Sequence, residues 1–293
     1  MKLVSTLKYI TSHPLNREIK MKAVLRFLKW QISSRLMPYP IFYDFTKRAK
    51  LIVKKGMAGA TGNLYCGLHE FNDMGFLLHF LRKEDLFVDI GANIGSYSVL
   101  SAAHVGATTI SIEPVPSTYK HLVNNVLINN SQQNSTLLNI ALGAKAGSIK
   151  FTTTLDTMNH VATDSDIDFV LVNVEVLDNV LSEHQAPALL KIDVEGFETE
   201  VINGASITLS KVELKAIIIE LNGSGSRYGF DENKIREVLN AAGFVSYLYN
   251  PLTRTLKASL ANGVHNAIYI RDIDFVKHRI ITAEKINILN TVF

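Results

Sequence analysis

The segment that most constrains the fold is residues 87–100, FVDIGANIGSYSVL. It begins as a short apolar run typical of a buried strand, turns at Gly91 and Gly95, and continues with a helical pattern. Many α/β proteins hold a nucleotide-like ligand with a strand, a glycine turn and a helix in this order. The question is therefore which ligand this turn accepts.

Short apolar runs alternate with helical patterns from residue 86 onward. The runs typical of strands are LFVDI (86–90), TTISIE (108–113), STLLNIALG (135–143), ALLKIDVEG (188–196) and LKAIIIEL (214–221). Such alternation predicts an α/β fold with a doubly wound, mainly parallel sheet covered by helices on both faces. Two late runs, FVSYLYN and NAIYIRD, predict an antiparallel pair at the sheet edge.

Two further segments complete this domain. Residues 148–183 break the rhythm with two extended patterns, SIKFTTT and FVLVNVEVL, and predict an inserted β excursion. DENKIREVLNAAG predicts a helix with Asp231 as its N-cap and Gly243 just after its end.

Charge separates an N-terminal extension from this domain. Residues 1–55 carry 13 Lys and Arg against two acidic residues, a net charge of +11, whereas the remainder carries 17 against 25, a net of −8. We therefore predict a basic helical extension at 1–55 and the α/β domain at 56–293. Within the extension, residues 17–36 predict a helix with one apolar face, formed by Met21, Val24, Leu25, Leu28 and Ile32.

That helix has two interpretations. In the first, it docks on the core and its basic side chains are simply solvated. In the second, it contacts an anionic surface, either a membrane or glycan phosphate. No apolar run reaches membrane-spanning length, and the N-terminus MKLVSTLKYITSHP does not resemble a signal peptide. We expect a cytoplasmic protein, with peripheral membrane contact as the second alternative; its single cysteine, Cys66, excludes an internal disulfide.

The glycine turn does not fit a dinucleotide. The fingerprint G-x-G-x-x-G, counted from Gly91, needs glycine at 93 and 96, where the chain has Asn93 and Ser96. Asp89 ends the first strand, and a carboxylate there would repel a pyrophosphate and favour a cation. Glu113, 22 residues after Gly91, has the spacing of an acid that binds a ribose diol. S-adenosylmethionine satisfies these conditions; alternatively, the glycines only make a tight turn and Asp89 caps the helix.

Longer stretches resemble a known family. FVDIGANIGSYSV, IEPVPSTYKHLVNNVLINN, NIALG and LLKIDVEGFETEVINGA are similar to the FkbM-type S-adenosylmethionine-dependent methyltransferases, over residues 60–250. The upstream stretch GNLYCGLHEFNDMGFLLHFLR resembles one branch of that family. The resemblance implies a class I methyltransferase (Rossmann-like) fold. It also implies methyl transfer, most often to a hydroxyl oxygen of a sugar, glycan or natural product, so we expect a small-molecule or glycan acceptor and no nucleic acid.

The resemblance also assigns cofactor positions. Glu113 matches the ribose-binding acid, and the adenine contact after the third strand falls at Ala141, where no acidic residue stands. The predicted cofactor-binding residues are Asp89, Gly91, Ala92, Asn93, Gly95, Glu113, Pro114 and Ala141.

Three residues are candidates for the chemistry of transfer. Asp193 and Glu195 follow the fourth strand, where either can deprotonate or orient the acceptor. His160, in the β excursion, is a third candidate base because an unperturbed histidine titrates near neutral pH. Asp193 can also belong to a Mg²⁺ site. No second cluster of ligands is evident, so no metal is assigned.

The end of the fifth strand supplies candidates for acceptor binding. Glu220 and Asn222 lie there and can bind acceptor hydroxyls, and the following loop, NGSGSRYGF, is a candidate lid.

Two other functions remain open from the residues alone. One is an NAD-dependent oxidoreductase of similar architecture, against which the failed glycine fingerprint and Asp89 argue. The other is a non-catalytic scaffold that keeps the fold, against which the intact glycine turn and the acidic strand ends argue.

Overall fold

A computed structural model describes residues 2–153, 159–163, 166–259 and 266–293. The N-terminal region contains helix α1 (Lys2–Ser12), a 3₁₀ turn at Pro14–Asn16 and helix α2 (Lys20–Leu36). An antiparallel hairpin follows, formed by β1 (Ile41–Asp44) and β2 (Lys50–Val53). The predicted helical extension at 1–55 is helical only as far as Leu36; the hairpin occupies its later part, where the prediction of helix was wrong.

Helix α2 docks on the core through the face opposite to the predicted one, so that prediction was wrong. Its buried side chains are Ala23, Phe27, Trp30 and Ser34. Most of the predicted face is exposed to solvent, namely Met21, Leu25, Leu28 and Ile32. The helix has two apolar faces, and the one with the two aromatic rings is buried because large rings bury the most apolar area.

The centre of the domain is one sheet, to which eight of the described strands belong. In chain order they are β3 (Leu86–Ile90), β4 (Thr108–Ile112), β5 (Ser135–Leu138), β9 (Leu189–Ile192), β10 (Ala216–Glu220), β11 (Val245–Asn250), β12 (Thr255–Ala258) and β13 (Asn266–Ile270). Their spatial order is β12-β11-β13-β10-β9-β3-β4-β5, with parallel pairing from β10 through β5. This confirms the predicted doubly wound, mainly parallel sheet.

The antiparallel edge is larger than the sequence pattern predicted. Strands β11 and β13 pair antiparallel as expected, but β13 inserts between β10 and β11, and β12 forms the outermost strand.

Helices cover both faces of the sheet, as alternation along β3 shows. Phe87 packs into a cluster with helices α4 (Phe71–Phe80) and α11 (Ile273–Thr282). Val88 and Ile90 pack on the other face with α8 (Glu198–Asn203) and α10 (Glu232–Ala241). Asp231 caps α10 by accepting from the Asn233 N–H, as predicted. The helices after β2 are α3 (Ala58–Cys66), α4 (Phe71–Phe80), α5 (Ser96–Val99) with its π-helical continuation Leu100–Val105, α6 (Pro116–Ile128), α7 (Leu177–Val180), α8 (Glu198–Asn203), α9 (Ser206–Ser210), α10 (Glu232–Ala241) and α11 (Ile273–Thr282).

The β excursion forms a small second sheet. Strands β7 (Gly147–Thr152) and β8 (Phe169–Glu175) make the expected hairpin, and β6 (Ala141–Leu142) adds to β8 in parallel. The stretch 135–143, predicted as one strand, therefore divides between two sheets. It divides at Asn139, whose side-chain amide donates to the carbonyls of Glu113 and Pro114. The chain ends with a small hairpin of β14 (Asn287–Ile288) and β15 (Thr291–Val292).

Candidate functional site

A cavity of about 440 Å³ lies at the carboxyl ends of four neighbouring strands. Gly91–Asn93 follow β3, Glu113 and Pro114 follow β4, Asp193–Glu195 follow β9, and Glu220 ends β10. Open α/β sheets bind ligands at this place, and the volume lies in the range of small-molecule sites. The opposite wall comes from the N-terminal region and helices α3 to α5, with Thr6, Tyr9, Ile10, Ala58, Gly59, Thr61, Gly62, Asn63, Tyr65, His69, Glu70, Met74, Ile94, Ser96 and Tyr97.

The glycine turn has a backbone that only glycine accommodates at its first position. Gly91 has φ +77°, and a Cβ there would lie 1.8 Å from the carbonyl oxygen of Asp193. Asn93 also has a left-handed φ, of +51°, and its side chain accepts from the Ile94 N–H. Because Gly91 approaches Asp193 closely, the loops after β3 and β9 together form one base of the cavity. This base, Gly91–Asn93 with Asp193–Glu195, is here named the floor. Gly95 lies behind the floor, against Leu122.

Glu113 presents a buried carboxylate to the cavity. Its Oε2 accepts from the Asn93 N–H at 2.9 Å and its Oε1 from the Val115 N–H at 3.0 Å. Burial raises the pKa of Glu113 to about 7, although the two N–H donors oppose that change. Because a carboxylate oxygen can accept more than one hydrogen bond, both oxygens keep capacity for the hydroxyls of a ribose.

Asp89 lies beneath the cavity and does not line it. It is 1% exposed, and its Oδ2 accepts from the Ser98 hydroxyl at 2.6 Å. Burial raises the pKa of Asp89, whereas Lys191 on the neighbouring strand opposes that rise. The residue therefore supports α5 from below through Ser98, but it does not cap the helix, which begins after Gly95 with no side-chain cap.

Lys191, which the sequence pattern did not single out, is the cation at the centre of this floor. Its Nζ lies 2.7 Å from Asp193 Oδ2 and 4.8 Å from the centre of the Tyr97 ring. Burial alone would lower the pKa of Lys191, but Asp193, Asp89 and Glu70 reverse that effect and hold it above its usual value. Among the described lining residues it is the one Lys or Arg.

Three carboxylates converge on one side of the floor, at the ends of β9 and β10. Asp193, Glu195 and Glu220 each bring an oxygen within 4.8 Å of the other two. Burial and Asp193 raise the pKa of Glu195 to about 7, and burial with both neighbours raises that of Glu220 to about 9. Oxygen atoms at this spacing suit a hard cation. A carboxylate cluster alone does not identify a metal site, and the same geometry serves proton transfer.

The loop that carries Asp193 and Glu195 is held by a residue that the sequence analysis missed. Glu198 is buried, and its Oε1 accepts from the N–H groups of Val194 and Gly196 at 3.0 and 3.2 Å. Glu195 itself has φ +54°, a strained conformation for a side chain other than glycine. Glu198 thus maintains a backbone that aims Glu195 into the cavity.

The predicted lid packs beside this loop. Residues 222–230 contain a 3₁₀ turn at Ser224–Tyr228, and Tyr228 donates to the Val161 carbonyl at 2.7 Å. Arg227 donates to the Glu195 carbonyl at 3.3 Å. None of the described residues 222–230, Asn222 included, lines the cavity, and closure of the loop over substrate stays a prediction.

The structure places His160 and Ala141 away from the main cavity. His160 is buried with its Nε2 3.6 Å from Asp166 Oδ2, and its neighbour Asn159 lines the cavity instead. Residues 154–158 of the same β excursion lie outside the described residues. Ala141 lines a separate apolar slot of about 20 Å³ that shares Gly91 and Pro114 with the cavity, and its contact to an adenine stays a prediction.

His69 is the histidine that does line the cavity. Its Nδ1 lies 2.9 Å from the Tyr9 hydroxyl of α1, and its ring packs on Gly62. Burial lowers the pKa of His69, so the ring is neutral at pH 7. The one sequence signal for it was the upstream stretch GNLYCGLHEF, which was noted for its resemblance only.

Comparison with known proteins identifies the domain. The model of the family described as methyltransferase FkbM domain matches residues 89–246, more than half of the chain. A hexuronic acid methyltransferase, AglP, from Haloferax volcanii is 26% identical over 171 residues, which are 57% of this chain and 66% of that protein. The match thus spans just under two thirds of that relative's length.

Solved structures show weaker likeness. Precorrin-6y C5,15-methyltransferase from Geobacter metallireducens GS-15 has 15% identity and a TM-score of 0.40, over 75% of this chain and 91% of that chain. A methyltransferase from Pyrococcus furiosus has 10% identity and a TM-score of 0.41, over 84% of this chain and 96% of that chain. Scores this low carry no argument about function.

Proposed function

The chain belongs to the FkbM methyltransferase family, and from this premise we propose that it transfers a methyl group from S-adenosylmethionine to a hydroxyl oxygen of a sugar. One observation carries the proposal. A single cavity is lined by the glycine turn at Gly91, by the carboxylate of Glu113 and by the three carboxylates that follow β9 and β10.

The donor side of the cavity fits S-adenosylmethionine. Glu113 has free acceptor capacity for a ribose diol, whereas the slot at Ala141, about 20 Å³, is too small for an adenine ring, which must therefore lie in the main cavity. The surrounding carboxylates favour a cation and disfavour a diphosphate, which argues against a nicotinamide dinucleotide. When bound, S-adenosylmethionine supplies a methyl group on a positively charged sulfur.

The acceptor hydroxyl needs a group that removes its proton, and Glu195 is our candidate. Its pKa of about 7 matches the operating pH of a general base. Glu220, with a pKa of about 9, is protonated at pH 7 and can donate a hydrogen bond to an acceptor oxygen. Because Asp193 is paired with Lys191, proton removal is assigned to Glu195 and hydrogen bonding to the acceptor oxygen is assigned to Glu220. His69, neutral on the opposite wall, is the second candidate base.

The lining favours a neutral polyol as the acceptor. The lining includes the hydroxyl and amide residues Thr6, Thr61, Asn63, Ser96 and Asn159. The Asn63 amide is itself held in the wall by Gly59, Ser96 and His69. The relative named a hexuronic acid methyltransferase supports a sugar as the acceptor class. The described lining offers no unpaired Lys or Arg for an acceptor carboxylate, because Lys191 binds Asp193. We therefore expect neutral sugar hydroxyls to be preferred over uronic acids.

The proposal is tested by transfer of a deuterated methyl group from S-adenosylmethionine to paired glycosides. Each pair consists of a hexoside and the corresponding hexuronide, and the products are analysed by mass spectrometry. We expect a labelled methyl ether on a sugar hydroxyl, with more product from the hexoside and none from Glu195→Gln. A label on the hexuronide carboxylate as a methyl ester, or a preference for the hexuronide, would contradict the respective part of the proposal.

A further inference from the structure

Helix α2 carries a second apolar stripe on the side that faces solvent. Its members follow one another at intervals of three or four residues, so they share one face of a helix with 3.6 residues per turn. They are Met21, Leu25, Leu28, Ile32 and Leu36. Met21 and Leu36 are each 76% exposed. This set, here named the outer stripe, lies opposite the buried stripe of Ala23, Phe27, Trp30 and Ser34.

Basic side chains border the outer stripe on both sides. At 3.6 residues per turn, Lys22 and Lys29 lie along one border, and Arg35 lies along the other. All three are exposed, and the helix contains no acidic residue. An apolar stripe flanked by cations is the arrangement of helices that lie in the interface of an anionic membrane.

The apolar exposure continues past the end of the helix. Met37, Tyr39 and Phe42 are 63%, 76% and 71% exposed, and they follow Leu36 directly in the chain. Soluble proteins expose single apolar side chains routinely, but a continuous series of this kind marks an interaction surface. The partner must be apolar where it meets the stripe and anionic around it, because residues 1–55 have a net charge of +11.

We propose that the outer stripe docks this protein on the surface of an anionic lipid bilayer. The apolar side chains enter the boundary between headgroups and acyl chains, while the bordering lysines and Arg35 contact lipid phosphates. Among the described residues, every helix is too short or too polar to span a bilayer.

Docking in this way brings the cavity close to the membrane. The buried side of α2 holds Tyr65, a cavity-lining residue, through ring contact with Phe27 at 5.2 Å and a hydrogen bond from Gln31 at 2.8 Å. Only the thickness of one helix, about 10 Å, then separates the outer stripe from that wall. This consequence concerns location alone and does not depend on the proposed reaction.

The test is flotation of the full chain with vesicles of phosphatidylcholine, with and without phosphatidylglycerol. We expect binding to the anionic vesicles that weakens as salt is added, and none to neutral vesicles. Leu25→Glu/Ile32→Glu should abolish binding, and Lys22→Glu/Lys29→Glu should weaken it by at least about tenfold. The matched control Ile207→Glu/Leu248→Glu changes two side chains that are 59% and 57% exposed elsewhere, and it should float like the wild type.

Other outcomes would overturn the proposal. Absence of wild-type flotation, or equal loss in the stripe and control variants at unchanged unfolding temperatures, would each do so. Light scattering measures the oligomeric state and so tests whether the stripe instead binds a second copy of this chain. If the wild type is a dimer that does not bind vesicles, and Leu25→Glu/Ile32→Glu converts it to a monomer, the stripe binds a second copy of this chain and not a membrane.

Discussion

Glu113→Gln separates binding of the donor from integrity of the turn that holds it. Both carboxylate oxygens accept a backbone N–H, from Asn93 at 2.9 Å and from Val115 at 3.0 Å. Glutamine keeps the size of the side chain and one acceptor but places an NH₂ group where the second oxygen was. The ribose of S-adenosylmethionine therefore loses a charged acceptor, and the turn keeps one of its two hydrogen bonds.

The expected magnitude follows from these contacts. A hydrogen bond to a charged group contributes about 1.5–3 kcal/mol, and each 1.4 kcal/mol is about tenfold in Kd. We therefore expect the Kd for S-adenosylmethionine to rise about ten- to a hundredfold.

Stability should respond differently from affinity. Burial raises the pKa of Glu113 from 4.5 in the unfolded chain to about 7, so the folded state binds the proton more tightly. The stabilisation this gives is complete below the unfolded pKa and is lost as the pH rises through about 7, a loss of about 3 kcal/mol at pH 8. The neutral amide avoids that loss, which offsets the missing backbone hydrogen bond. The ligand-free variant should therefore unfold near the wild-type temperature at pH 8.

The assay is equilibrium dialysis with labelled S-adenosylmethionine at pH 8, with thermal unfolding of each ligand-free protein. Glu232→Gln is the matched control, because Glu232 also accepts a backbone N–H, from Gly223 at 2.6 Å, in a loop that does not line the cavity. The control should keep the wild-type Kd. A wild-type Kd in Glu113→Gln, with normal unfolding, would refute the assignment of the ribose site.

Three further predictions concern the floor of the cavity. Gly91→Ala should lower the free energy of unfolding by at least about 2 kcal/mol, because its Cβ would meet the Asp193 carbonyl at φ +77°; equal urea midpoints would argue against this. Lys191→Met should lower the free energy of unfolding by about 3–5 kcal/mol at pH 8, because it leaves Asp89 and Asp193 without their cation. Urea unfolding at acidic pH should show a smaller loss of stability. An equal loss at both pH values would contradict the charge argument. The rate of methyl transfer should rise as the pH increases through about 7, because Glu195 must lose its proton to act as a base; a flat profile between about pH 6 and 8 would exclude that role.

The floor of the cavity could be predicted from the sequence because short-range chemistry determines it. Gly91, Asn93 and Glu113 occupy a strand–turn–helix unit and the end of the next strand, and parallel strands bring their carboxyl ends to one edge. Asp193 joins them for the same reason. That Gly91 touches the Asp193 carbonyl could not be predicted, since it depends on the packing of two loops about 100 residues apart.

The opposite wall could not be predicted, because long-range packing forms it. His69 and Tyr9 meet across 60 residues, and nothing in the local pattern joins α1 to the start of α4. The predicted orientation of α2 was wrong for a related reason. Its two apolar stripes both have helical periodicity, and only the space around Phe27 and Trp30 in the folded protein decides which one is buried.

Calorimetric titration of the wild-type chain with S-adenosylmethionine and, separately, with NAD⁺ tests the central claim most directly. The claim is that the cavity at Gly91, Glu113 and Asp193 holds the methyl donor. We predict one binding site per chain for S-adenosylmethionine and no heat of binding for NAD⁺, because the turn lacks glycine at 93 and 96. Binding of NAD⁺ in place of S-adenosylmethionine would indicate an oxidoreductase, and failure of both to bind would indicate a non-catalytic protein with this fold.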